Sequence, residues 1–260
     1  MARGNLLLSA TYALWRRDVI RFLRQPSRVI GALASPILFW LVIGSGLGSS
    51  FRPPAGEESG TGGYLEYYFP GSLALIILFT AIFSTISVIE DRATGFLQGV
   101  LASPAPRLAI VLGKAFGSTT LAVLNGVVFL LLLPAAGLAP GAGLLVVTIL
   151  WMALVALALS GLGLMIAWPM QSTQGFHAIM NILLVPLWLL SGALFPAAGA
   201  SPWVRILMRA NPLTPAVETL RVLLGGGSLA DVPANAAPVA ACVVITLSIA
   251  TLMVSRPMRT

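Results

Sequence analysis

The amino-acid sequence predicts an all-α membrane protein with six transmembrane helices, an N-terminal interfacial amphipathic helix, and an outer re-entrant helical hairpin between spans five and six. Three observations predict it. Hydrophobic residues make up 58% of the chain and charged ones 9%, whereas a water-soluble domain carries about 25% charged residues. The solvent of this fold is therefore mostly lipid. Uncharged stretches long enough for a helical crossing, roughly 20 residues, recur along the chain. Basic residues crowd at the margins of those stretches, where anionic lipid head groups attract them. A single membrane-spanning domain over residues 1–260 is the natural count.

Taken in order, residues 1–27 form the first element. Leu8, Tyr12, Trp15, Val19 and Phe22 recur at helical spacing, flanked by Arg16, Arg17, Arg21 and Arg24, a pattern that lies in the interface plane rather than crossing. Arg28 and Arg52 enclose an uncharged stretch, as do Glu66 and Glu90, and Asp231 and Arg256; each holds one crossing. From Lys114 to Arg205 no Asp, Glu, Lys or Arg intervenes, a length that fits three helices with turns. Breakers at Pro134–Gly143 and Pro169–Gly175 divide it. The spans fall near 29–49, 68–89, 114–134, 144–168, 175–195 and 233–254, and residues 56–63 read as a flexible loop.

Residues 196–232 are apolar yet interrupted by Pro202, Pro212 and Pro215. Ser201 can cap a helix that starts at Pro202 and ends at Asn211, and Thr214 can cap a second that starts at Pro215 and stops at Gly225. Two short helices dipping into the outer leaflet follow, packed against the bundle or a second subunit, because irregular backbone at that depth must be covered.

An even number of spans places both termini on one side. Eleven basic residues lie there against four (Arg52, Arg205, Arg209, Arg221) on the other, which makes the terminal side cytoplasmic. The charge of +7 thus answers to a membrane surface and not to nucleic acid. The short apolar run Leu6–Leu8, soon followed by Arg16 and Arg17, argues against a cleaved signal peptide. One cysteine, Cys242, allows no intrachain disulfide, and the one histidine, His177, has no acidic or thiol neighbour in sequence with which to hold a metal. Gly113-Lys114 is followed by Ala115, so the phosphate-binding loop of a nucleotidase is missing.

Polar groups inside spans are functional candidates because they are costly in hydrocarbon. Asn125, His177 and Asn181 stand out, with Trp188, Phe176 and Val185 as neighbours of a substrate pathway; interhelical hydrogen bonding is the commoner use of such residues. Ser160-Gly161 with His177 also permits an intramembrane serine protease of rhomboid type, although the usual turn would read G-x-S-G. The Gly113/Gly117 spacing suits close helix contact. The densest signal is the segment 90–113, with Glu90, Asp91, Arg92, Gly95, Phe96, Leu97, Leu101, Ser103, Pro104 and Arg107. It has room for a short cytoplasmic helix whose apolar face (Phe96, Leu97, Val100, Leu101) asks for a protein partner.

At this segment the sequence resembles the permease subunits of type-two ABC exporters, the group with drug-resistance, nodulation-factor and polysaccharide export permeases. Glu90, Arg92, Gly95, Leu97, Leu101, Ser103, Pro104, Arg107, Gly113 and Lys114 match the family pattern; Phe96 and Gln98 depart from it. Leu190-Ser191-Gly192-Ala193, Pro196, Asn211-Pro212-Leu213-Thr214 and Arg221 form a second match. The resemblance implies an exporter in a bacterial cytoplasmic (inner) membrane, built from two permease copies, or a close paralogue pair, and a separate ATP-binding-cassette ATPase. It implies that segment 90–113 inserts into the ATPase as a coupling helix, that the interfacial helix with Trp15, Arg16, Arg17, Arg21 and Arg24 lies beside it, and that ATP and magnesium bind only to the partner. The cargo would be amphipathic, lipid-linked or drug-like. Arg205 and Arg209 lie one helical turn apart on the outer hairpin, which also carries Trp203, and would snorkel to lipid phosphates or gate an anionic head group at the exit. An ATP-independent membrane scaffold is the other alternative to the protease.

Overall fold

A computed structural model describes residues 2–47, 63–229 and 232–255; the expected flexible loop at 56–62, with Arg52, lies outside the described residues. Every regular element among them is helical. Helix α1 (Ala2–Leu23) is followed after a two-residue turn by α2 (Pro26–Leu47), and α3 (Gly63–Ser84) runs on through Thr85 and Ile86 into α4 (Ser87–Ala93). Next come the short α5 (Phe96–Ala102), α6 (Arg107–Leu130), α7 (Ala142–Ala167), α8 (Thr173–Leu189), α9 (Pro202–Ala210), α10 (Thr214–Leu224) and α11 (Val232–Ser255).

Four of these helices, among the described residues, are long and apolar enough to cross a membrane: Gly63–Ala93, Arg107–Leu130, Ala142–Ala167 and Val232–Ser255. Two shorter apolar helices, Ile30–Gly46 and Thr173–Leu189, fall in the places expected for spans one and five. At 1.5 Å per residue the 31-residue α3–α4 unit is about 46 Å long, against roughly 30 Å of hydrocarbon. Its charged end therefore projects beyond the lipid core, which is how Glu90, Asp91 and Arg92 can sit on a spanning helix.

The α3–α4 unit is also the centre of the bundle. Of its most apolar 18-residue window, 83% is buried, against 22% for α11, and α2, α6, α7, α8 and α10 all pack on α3. The outer helices turn apolar side chains outward, among them Leu150, Ile182, Val244 and Leu252, as helices facing lipid must. Small residues allow the closest approaches. A Cβ on Gly71 would lie 2.6 Å from the Ala193 carbonyl oxygen, and one on Gly161 would overlap Thr246 Oγ1, so Ser160-Gly161 serves close packing of α7 on α11.

Several boundaries differ from the sequence reading. Helix α6 starts at Arg107, not 114, because the Ser103-Pro104-Ala105-Pro106 stop lies immediately before it. Helix α8 ends at Leu189, ahead of Gly192, whose φ of 80° is left-handed. Helix α9 spans the expected residues, with Ser201 extended at its start but without a capping side-chain bond. Thr214 does not cap α10. It is the first helical residue, and its hydroxyl donates to the Met208 carbonyl (2.6 Å), while Asn211 Oδ1 organises the turn by accepting from the Leu213 N–H (2.9 Å).

Candidate functional site

Where α1 passes α6, Leu14 meets Gly113 and Asp18 meets Gly117; a Cβ on Gly113 would lie 2.7 Å from Leu14 Cβ. The expected close contact at this glycine pair is made, and it brings Asp18 to the root of α6. There the Lys114 ammonium, on the chain's sole lysine, is buried with its side chain 2% exposed. It donates to Asp18 Oδ1 (3.1 Å), Ser87 Oγ (3.2 Å) and Asp91 Oδ2 (2.5 Å). Asp91 also accepts a two-pronged contact from Arg17 (2.9 and 2.7 Å) and one from Arg21 (3.2 Å), and Arg21 reaches Glu90 at 2.8 Å. Three cations thus balance three carboxylates, the condition under which buried charge is tolerated. The hydrogen bond to Asp91 holds the Arg17 guanidinium above its ordinary value.

Asp91 is accordingly turned into the protein, away from any partner surface. Its neighbour Arg92 also works within the chain: Nη2 donates to the Trp168 carbonyl (2.5 Å) and Nη1 to that of Met170 (2.7 Å), and the guanidinium lies 5.4 Å from the Trp168 ring. These carbonyls close the end of α7, where a helix leaves acceptors without partners.

Gly95 (φ 78°) turns the chain into α5. The apolar face of α5 does not stand free, as the sequence reading expected. Leu97 is buried, Phe96, Val100 and Leu101 pack on the core, and Arg17 sits over the Phe96 ring at 3.7 Å. What α5 and its flanks expose is polar or small: Thr94, Gly95, Gln98, Gly99, Ala102, Ser103 and Pro104. Ser103 Oγ ends the helix on the Val100 carbonyl, and Arg107 Nη1 holds that of Leu101 at 2.9 Å. Beside this knob, Trp15 Nε1 donates to Thr120 Oγ1 (2.9 Å), and Arg16 and Arg24 are exposed.

A cavity of about 480 Å³ opens between α2, the α3–α4 unit and α8. Phe39, Leu75, Phe79 and Phe83 give it apolar walls, and Ser35, Thr80, Ser84, Glu90, Thr173 and His177 are its polar groups. Of the expected pathway residues only His177 lines it, stacked on Phe83 at 4.9 Å. Asn125 stands behind the wall and donates to Thr80 (3.2 Å). Asn181 and Val185 are exposed without lining it, whereas Phe176 and Trp188 are buried. Trp188 belongs to the other end of the bundle, where Nε1 donates to the Gly71 carbonyl (2.8 Å). Ser160 is fully buried and its hydroxyl has no hydrogen-bond partner among the described residues. Among the described residues Ser160 and His177 form no hydrogen bond, and the protease reading is not favoured.

At that far end the two stretches of the second sequence match touch. Arg221 Nη2 donates to the Gly192 carbonyl (2.9 Å) and its guanidinium lies 4.2 Å over Tyr67, while Asn211 Nδ2 donates to the Leu187 carbonyl (2.6 Å). Arg205 donates to the Ala200 carbonyl (3.1 Å), Arg209 is exposed, and Trp203 and Ile206 are about two-thirds exposed at 66% and 67%.

Sequence reasoning missed Asp18 and Ser87 and used Lys114 only as the margin of a span, a basic residue of the terminal side and a motif match. The available signals were that Lys114 is the one lysine and Asp18 the one acid among the arginines of α1.

The chain is 27% identical over 222 residues to a transport permease named ycf38 from Cyanophora paradoxa, covering 84% of this chain and 74% of that protein. It is 26% identical over 247 residues to Nodulation protein J of Rhizobium leguminosarum bv. trifolii, covering 94% and 92%. Over 151 residues it is 28% identical to an Escherichia coli K12 protein named probable multidrug ABC transporter permease YbhR, covering 58% and 41%. The family model for the ABC-2 type transporter matches residues 9–224, more than half of the chain, and the chain belongs to the ABC-2 type transporter permeases.

Proposed function

We propose that this chain is the transmembrane subunit of an exporter, driven by a separate ATP-binding-cassette ATPase that binds ATP and magnesium and docks on α5. The observation that carries this reading is α5 itself: a short helix that exposes Gln98, Gly99 and Ala102, joined at one end to the 31-residue α3–α4 unit and at the other to α6. A force applied there reaches two spanning helices directly. The permease crosses the inner membrane of a bacterium six times, with α2 and α8 as the short spans and both termini in the cytoplasm, following the eleven-to-four bias of basic residues. Short hydrophobic stretches are accommodated by local thinning of the bilayer or by oligomerisation. A second copy packs beside the first and encloses the cavity at α2 and α8, since polar Asn181 and His177 would be costly against lipid.

A largely apolar cavity with a few polar groups among its lining residues suits an amphipathic, lipid-linked or drug-like cargo. The relatives' names, a nodulation protein and a multidrug permease, agree with export of such compounds. Arg209 and Trp203 on α9 anchor the outer end among lipid head groups.

Cross-linking tests the docking role. In a Cys242→Ser background, a Gln98→Cys variant in native membranes cross-links to an ATP-binding-cassette ATPase, and the yield changes with ATP. A control at exposed Leu252→Cys does not. Equal cross-linking at both positions refutes the reading.

A further inference from the structure

Resting on the coupling role of α5 proposed above, we propose that Arg92 is the positioning residue that carries movement of α5 to the α7–α8 turn, and so to the α8 wall of the cavity. The ion cluster beside it is the fixed point about which that movement turns.

Asp91 and Arg92 are neighbours on the last turn of α4 but hold different elements. Asp91 binds α1 and α6 through Arg17, Arg21 and Lys114; its side chain is 1% exposed. Three cations on one buried carboxylate fix it firmly to those two helices. Arg92 holds α7 through two uncharged carbonyls, and its Nε is buried without an acceptor among the described residues. The fork is therefore not saturated and has capacity for a second arrangement.

The main chain of the same residue holds α5. The Arg92 carbonyl accepts from the Gly95 N–H (3.1 Å) and from Gln98 Nε2 (3.3 Å). One residue thus grips the docking helix by its backbone and the α7–α8 turn by its side chain. The turn is short. Met170, whose carbonyl Arg92 holds, lies two residues before Ser172, whose Oγ caps α8 by accepting from the Gly175 N–H (3.2 Å). Thr173 and His177, on the first turns of α8, line the cavity. A shift of Arg92 reaches them through a handful of ordered residues, and a chain of packed groups with a discrete rearrangement is the physical form that coupling takes.

Two measurements test this. In the permease alone, in lipid nanodiscs, hydrogen exchange of the amides at 170–177 rises roughly tenfold or more in Arg92→Ala, the loss of at least one charge-assisted hydrogen bond. Arg92→Lys restores part of the protection, and amides at 14–18 and 114–118 are unaffected. Unchanged exchange at 170–177 overturns the proposal. In the full complex on a Cys242→Ser background, thiol labelling of Thr173→Cys depends on ATP when Arg92 is present. In Arg92→Ala that dependence disappears while the Gln98→Cys cross-link to the ATPase persists. A parent that neither cross-links nor responds to ATP overturns the coupling reading and this inference with it. A parent that does both, while Arg92→Ala keeps its ATP response, overturns this inference alone.

Discussion

Replacing Lys114 with methionine removes one charge from the cluster at almost constant volume. Asp91 keeps its two bonds from Arg17 and one from Arg21, but Asp18 is left with Arg17 alone, at 3.3 Å. Two cations then face three carboxylates, and the excess charge falls on Asp18, whose side chain is 9% exposed. Removing one partner of a buried ion pair costs about 3–5 kcal/mol. Arg17 and Arg21 have side chains 33% and 32% exposed, so water relieves part of the imbalance and the expected loss is near the lower end, about 3 kcal/mol. The Lys114→Met/Asp18→Asn double variant restores two cations against two carboxylates and should recover about half of that loss or more. The assay is unfolding by sodium dodecyl sulfate titration in mixed micelles, followed by circular dichroism and tryptophan fluorescence. A Lys114→Met protein as stable as the parent, or a double variant no more stable than the single one, refutes the account of a charge-balanced cluster.

Other outcomes follow from contacts elsewhere. Gly71→Ala should lose about 1–3 kcal/mol, because its new methyl would meet the backbone of Ala193 at 2.6–2.9 Å; the same titration measures it. Arg221→Lys should cost about 1 kcal/mol, since an ammonium keeps the charge but not the stacking over Tyr67 with the bond to Gly192; loss of the tight turn would show as faster exchange of the amides at 190–194. With Cys242→Ser as background, Thr94→Cys and Gln98→Cys should label with a membrane-impermeant thiol reagent in inside-out vesicles and not in intact cells, and the reverse pattern would invert the topology. Arg209→Ala should leave transport unchanged if the side chain only reaches lipid phosphates; a severalfold drop would instead make it part of the exit.

Charge spacing located the apolar part of each helix, because ionised side chains are excluded from hydrocarbon, but it could not locate helix ends. The first two turns of α6, Arg107 to Gly113, carry a charge and lie against α1, and nothing in hydropathy distinguishes such turns from a loop. The same limit made Glu90–Arg92 look like loop, when they end a helix that outruns the bilayer. The site was half legible. The segment 90–107 announced itself by length and motif, yet the direction of its side chains is a tertiary property: Leu97 and Asp91 point inward because α1 and α6 supply a covering and three cations. Asp18 was overlooked because the arginines around it made α1 read as a surface helix, and only the approach of Lys114 reveals the acid as part of the interior. On α8, His177 and Asn181 share a face as their spacing requires, but which face meets the cavity depends on how α8 leans on α3.

The burial of Lys114 also has a practical corollary for handling the molecule. Being the chain's sole lysine, with its ammonium enclosed by two aspartates and a serine, it leaves the folded permease without a reachable side-chain amine. Acylating reagents should therefore spare the bundle until it opens, and the appearance of a modified Lys114 peptide by mass spectrometry would report unfolding at this joint without any engineered label.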